Sequence, residues 1–123
     1  MTLTGSKNTF LGMGTQYTIA GLTRSTAIGY NSIVSASNNM VLGGTGADKV
    51  SVVIGATAAV ASAVLQADST TQGMLPPRMT AVQAEAIAAP AEGLLVYATD
   101  GTGVTILSKG WWGYNGAAWV KLN

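Results

Sequence analysis

Four times in its first half, the chain sets a large apolar residue directly before a glycine: Leu11-Gly12, Ile28-Gly29, Leu42-Gly43 and Ile54-Gly55. A short strand-like run precedes each pair: Asn8-Thr9-Phe10, Ser25-Thr26-Ala27, Asn38-Asn39-Met40-Val41 and Val50-Ser51-Val52-Val53. The glycines lie 17, 14 and 12 residues apart. A segment of that length holds about one strand and one turn, which cannot bury an apolar face alone. Stacking on its neighbours supplies the burial and pairs the strand edges. The repeat predicts a β-solenoid, or β-roll, with Gly12, Gly29, Gly43 and Gly55 as structural residues that close strands in tight turns. A β-sandwich with coincident glycines is the competing fold.

Charge is the second constraint. Asp, Glu, Lys and Arg make up 9% of the chain, against roughly 25% in an ordinary soluble domain. The net charge is +1. Gly, Ala, Ser, Thr and Asn fill the gap. So weakly polar a surface is best buried against further copies of the same chain, and little repulsion opposes their association. An obligate homo-oligomer is expected, with a homotrimer as the specific form.

The same balance points away from other partners. Six scattered Lys and Arg residues form no basic stripe for nucleic acid. The run from Ser51 to Ala67 is free of charge but interrupted by Ala, Ser and Thr, short of the roughly 20 strongly apolar residues of a membrane span. Met1-Thr2-Leu3-Thr4 lacks the basic start of a signal peptide. With no His and no Cys, Ser-His and Cys-His nucleophile systems and His or Cys zinc sites are ruled out. The five carboxylates, Asp48, Asp68, Glu85, Glu92 and Asp100, show no paired spacing. No enzyme, no cofactor and no metal site are expected.

After the repeat, the reading changes. Residues 1–56 are expected to form the shaft and 57–123 a small β-rich knob with one short helix. Ser62 to Ala67 reads as a strand. Pro76-Pro77 imposes an extended segment and keeps Leu75 out of the helical region. Thr80 and Gln83 have the spacing of a capping box, so a helix is predicted over 81–89, ended by Pro90. Gly93 to Thr99 and Val104 to Leu107 read as strands. Asn115-Gly116 suits a two-residue hairpin turn over 110–122, which pairs Trp112 with Trp119 and Trp111 with Val120. Trp112, Tyr114, Trp119 and Lys121 then share one face, and Trp111, Val120 and Leu122 the other.

Two stretches resemble known families. Thr26-Ala27-Ile28-Gly29-Tyr30-Asn31-Ser32, Val34-Ser35-Ala36 and Asn38-Asn39-Met40-Val41-Leu42-Gly43 resemble the head repeats of trimeric autotransporter adhesins, and Asn8 to Gly12 looks like their opening repeat. That resemblance implies a left-handed parallel β-roll with three chains side by side. The chain departs from the pattern in its irregular spacing and in lacking a heptad stalk and a membrane barrel. Gly73-Met74-Leu75-Pro76-Pro77-Arg78-Met79-Thr80, Pro90 to Tyr97, and the closing Trp112, Tyr114-Asn115-Gly116 and Trp119 resemble a C-terminal module of phage tail-fibre and bacterial surface proteins. That resemblance implies the end of a fibre.

Together the resemblances imply a mainly β homotrimeric fibre, intertwined or side by side. Its function would be that of the structural, host-receptor-contacting C-terminal part of a phage tail fibre or spike, located in the virion. A fragment of a bacterial trimeric surface adhesin and a purely structural trimerisation cap are the alternatives. A fibre also needs an anchor, so a C-terminal fragment or a small standalone spike is expected.

Flat aromatic faces stack on sugars, which makes Trp112, Tyr114, Asn115 and Trp119 the candidate binding residues for a glycan or protein receptor. Core packing is the competing role for each indole, and Trp111 is the residue expected in the core. Pro76, Pro77 and Arg78 are assigned structural roles, Arg78 as a partner for Asp68, Glu92 or Asp100 of another subunit. Asn38 and Asn39 are read as exposed turn residues.

Overall fold

A computed structural model gives the fold of residues 4–122. It contains two compact units that divide between Thr70 and Thr71.

The first unit is a parallel β-solenoid. Strand β1 (Thr9–Leu11) is followed by β2 (Gln16–Tyr17), β3 (Thr26–Ile28), β4 (Ile33–Val34) and β5 (Met40–Leu42). Strands β1, β3 and β5 lie side by side in one parallel sheet, and β2 pairs with β4 in a second. In register, Phe10 stands beside Ala27 and Ala27 beside Val41. The sequence steps of 17 and 14 are therefore the lengths of successive coils.

The middle residue of each three-residue strand, and the second residue of β2 and β4, points inward. Ala27, Val34 and Leu22 are buried, with Phe10, Tyr17 and Val41 packed against them. Polar groups cross between coils as well. Ser32 donates through Oγ to the Val41 carbonyl at 3.2 Å. Asn8 donates to the Leu22 carbonyl and accepts from the Ser25 N–H. These bonds satisfy groups that would be costly to bury alone.

The recurring glycines form a stack. Gly12 and Gly29 both lie in the left-handed half of backbone space, at φ 133° and 109°. A Cβ on Gly12 would stand 2.7 Å from the Gly29 carbonyl oxygen, and one on Gly29 would stand 3.3 Å from the Gly43 Cα. Close approach of neighbouring coils, as well as backbone conformation, excludes a side chain there.

A second recurring corner was not visible in the sequence pattern. Lys7, Arg24 and Asn38 each stand two residues before a strand, and all three adopt left-handed φ values, 61°, 56° and 62°. Arg24 donates through Nε to Asn38 Oδ1 at 2.6 Å, so the corners are tied from coil to coil. Asn38 and Asn39 are exposed.

The fourth apolar-glycine pair does not extend this ladder. Following a short 3₁₀ turn at Gly46–Asp48, β6 (Val52–Ile54) pairs in parallel with β7 (Leu65–Ala67). This pairing carries the first unit past the expected boundary at residue 56. Gly55, with φ 83°, would set a Cβ against the Asp68 carbonyl.

The second unit is a four-stranded sheet with a helix on one side. Its elements are β8 (Arg78–Met79), α1 (Ala81–Glu85), β9 (Leu95–Ala98), β10 (Gly110–Tyr114) and β11 (Trp119–Lys121), and the strand order is β11-β10-β9-β8. Strand β8 runs parallel to β9, and the other neighbours are antiparallel. Pro76 and Pro77 lack N–H groups and stand just outside the edge strand, where Pro77 still offers its carbonyl to the Tyr97 N–H at 3.0 Å.

The capping box forms: the Gln83 N–H donates to Thr80 Oγ1, and the Thr80 N–H to Gln83 Oε1. The helix is shorter than the predicted 81–89. The Ile87 N–H bonds back to Ala84 in a tighter turn, and Ala89, which precedes Pro90 and is barred from the right-handed helical region, has φ 46°. No helix among the described residues is long and apolar enough to cross a membrane.

Candidate functional site

Strands β9, β10 and β11 position the aromatic residues. Alternation sends Trp112 and Trp119 to the helix side, where Val96, Ala98, Ile106 and the helix residues Ala81 and Ala84 complete a core. Only 7% of Trp112 and 8% of Trp119 is exposed. The Trp112 indole N–H donates to the Ser108 carbonyl at 3.0 Å, so burial leaves no orphaned donor. Tyr114 is half-buried on the same side, edge-on to Trp119 with ring centres 5.5 Å apart.

Trp112, Tyr114 and Trp119 are thus brought together as a packed cluster, while Asn115 lies exposed in the adjoining loop. The two indoles have little face open to a ligand within one chain. Trp111, expected in the core, lies on the opposite side of the sheet. It is half-buried there and meets Tyr97 edge-on at 5.6 Å and 87°.

The hairpin register differs from the expected one by two residues. Tyr114 pairs with Trp119, and Trp112 with Lys121. Asn115 explains the shift. Its Oδ1 accepts from the N–H groups of Ala117 and Ala118, and its own N–H donates to the Ala118 carbonyl. The side chain therefore organises a four-residue loop where a two-residue turn was predicted. A shift of two leaves each residue on its predicted face, because side chains alternate with period two.

Residues Val104 to Leu107 form no strand, another departure from expectation. The carboxylate of Glu85 takes their N–H groups: Val104 at 2.9 Å, Thr105 at 2.7 Å and Ile106 at 2.7 Å. These donors, Ile106 foremost, hold the Glu85 carboxyl below its ordinary value. Asp100 is used similarly. It accepts from the Ala81 N–H at the start of α1 and from Thr102, and the Ala81 bond is the main cause of its lowered pKa. Both carboxylates are therefore engaged as acceptors for the fold. Among the described residues, no group of three or more carboxylates could hold a metal ion.

The outer side of the sheet is different in character. In register, Arg78, Tyr97 and Trp111 form one row across β8, β9 and β10. Leu95, Gly113 and Val120 form the next. Two shallow hollows open there. One, of ≈ 250 Å³, lies among Met74, Leu75, Arg78, Tyr97, Lys109 and Trp111. The other, of ≈ 420 Å³, is bordered by Leu94, Leu95, Gly113, Val120 and Leu122.

Residues 53–123, more than half of the chain, match the family model of the phage tail like trimerisation region. The chain belongs to this family. No curated protein and no solved structure matches it. As a phage-tail-like trimerising protein, the chain is a mainly β, homotrimeric fibre component. The matched segment contains most of β6, all of β7 and the whole four-stranded sheet, so the outer sheet face lies inside the trimerisation region.

Proposed function

We propose that the chain is a structural, non-enzymatic part of a phage tail fibre or spike, holding three copies together where the fibre contacts the host surface. One observation carries this reading. Outward-facing strand residues of both units are large, apolar and uncovered in a single chain. In the Leu11, Ile28 and Leu42 row, Leu11 is 63% and Leu42 45% exposed, and at the sheet Val120 is 43% exposed with Leu122 beyond it at 57%. A lone soluble chain rarely leaves so many in contiguous rows, and packing against identical chains removes them from water. Light scattering after size exclusion tests it. The expected mass is about three times the 12.4 kDa chain, and a stable monomer at micromolar concentration would overturn the proposal.

Host contact is the finer element of this reading. Its support is the exposed loop Asn115-Gly116-Ala117-Ala118, which sits next to half-buried Tyr114. Binding of the trimer to host cells or to a glycan array, compared with Tyr114→Ala and Gly116→Asp, tests it. Loss of binding with an unchanged melting curve supports contact. The burial of Trp112 and Trp119 favours a second reading, a trimerisation cap with no ligand of its own, which requires that no glycan or cell surface be bound. The head-repeat resemblance supports a bacterial surface fibre as the alternative setting for the same assembly.

A further inference from the structure

The family match says that the region trimerises but not through which surface. We propose that the outer face of the four-stranded sheet, centred on Gly113, is the seam along which three copies of this chain meet. This rests on the trimeric reading above.

The residues of β9 to β11 that point to this side are Leu95, Tyr97, Trp111, Gly113 and Val120. The charges on this side, Arg78 and Lys109, border the hollow at Tyr97 and Trp111 and not the one at Gly113. An antiparallel face open to water ordinarily alternates to polar residues. Around Gly113 this face does not, and the helix and the core cover only its opposite side.

Gly113 gives the second, independent argument. It lies in the middle of β10, where a glycine weakens a strand. Its backbone conformation does not require glycine, since its φ is not among the positive values. Nor does crowding within the chain, since a Cβ there would meet Leu122 Cδ2 at 3.4 Å, an ordinary contact. What the missing side chain does is open the hollow between Leu95, Val120 and Leu122. Glycine inside a strand often marks the close approach of another backbone or side chain. An uncharged hollow rimmed mainly by aliphatic groups, with Tyr114 and Asn115 at its edge, accepts an aliphatic knob. Three identical copies around an axis can supply one to each other without any further partner.

A rival patch exists on the other side of the unit. Val82, Val104 and Leu107 are exposed there, Val104 at 89%. They come from a five-residue helix and a loop, and exposed Gln83 and Thr105 are interspersed among them. They form no continuous row.

The absence of cysteine allows a direct test. Val120→Cys and Val104→Cys are made separately in the full chain. Each is confirmed trimeric by light scattering and then reacted with a maleimide. The expected result is labelling of Val120→Cys about tenfold or more slower than Val104→Cys, with protection lost on dissociation. Equal rates in an intact trimer, or protection at 104 in place of 120, would overturn the seam while leaving the trimer standing. A monomeric parent chain would instead overturn the trimeric reading and the seam with it. Gly113→Leu supplies a second measurement. The filled hollow should abolish the trimer while the near-ultraviolet signature of buried Trp112 and Trp119 persists. A Gly113→Leu trimer of parental stability would also count against the seam.

Discussion

Glu85 and Ile106 lie 21 residues apart, yet a carboxylate oxygen of the first accepts the backbone N–H of the second at 2.7 Å. The same carboxylate holds two more N–H groups of that loop. Because these donors favour the charged form, the folded-state pKa is depressed. The stabilisation is then fully present above the unfolded carboxylate value and is lost as pH falls through the depressed folded value. Glu85→Gln should be less stable than the parent at neutral pH, since the amide offers one acceptor oxygen and presents donors to donors. The difference should narrow in acid. Urea unfolding of both proteins across pH 7 to pH 2 checks this, and a gap independent of pH would exclude the carboxylate as its source.

Replacement of Gly29 by Ala should destabilise the solenoid by about 1 kcal/mol or more, because the new Cβ meets both a positive φ and the backbone of Gly43. Thermal melting of the trimer at fixed concentration would record the loss. Gly21→Ala is the informative control. Its φ is 79° and no atom lies within 4 Å of its added Cβ, so the difference between the two variants reports the crowding between coils together with the harsher φ of 109° at Gly29.

Trp112→Ala should cost about 3–5 kcal/mol, as truncation of a buried aromatic does. The loss should appear as a lower denaturant midpoint with an unchanged dependence on protein concentration, since the indole packs within its own chain. A variant that instead dissociates at parental stability would show that Trp112 serves the interface between copies.

Thr80→Ala removes the side-chain acceptor at the start of α1 and should cost about 1 kcal/mol. The effect should stay modest because Asp100 holds the same first turn through the Ala81 N–H at 2.8 Å. The double variant Thr80→Ala/Asp100→Ala, which removes both acceptors, should therefore lose more than the sum of the two single changes. Additive losses in equilibrium unfolding would show that the two caps act separately.

The solenoid was legible because its signal repeats. Gly12, Gly29 and Gly43 recur at the coil length, and the ladder places them side by side. The faces of the hairpin were legible for a related reason, since alternation survives a register error of two. Which face turns inward was not. Trp111 and Trp112 are chemically identical neighbours, and only the position of α1 selects Trp112 for the core. The Val104 to Leu107 segment was misread because its β-branched residues suit a strand, whereas its N–H groups are claimed by a carboxylate distant in sequence. The loop at Asn115 was misread because the side chain, not the Asn-Gly dipeptide, decides where the turn closes.

The coils of the solenoid tolerate unequal lengths because the steps of 17 and 14 residues differ only in what leaves the ladder and returns to it. Length is therefore an adjustable property of this solenoid. A whole coil added between Ile28 and Met40, carrying its own apolar-glycine pair, would extend the ladder by one strand spacing, about 4.8 Å, without disturbing the register above or below it. Deleting one would shorten it by the same amount. Recombination between unequal copies of the repeat would therefore change the length of the solenoid in fixed increments of one strand spacing.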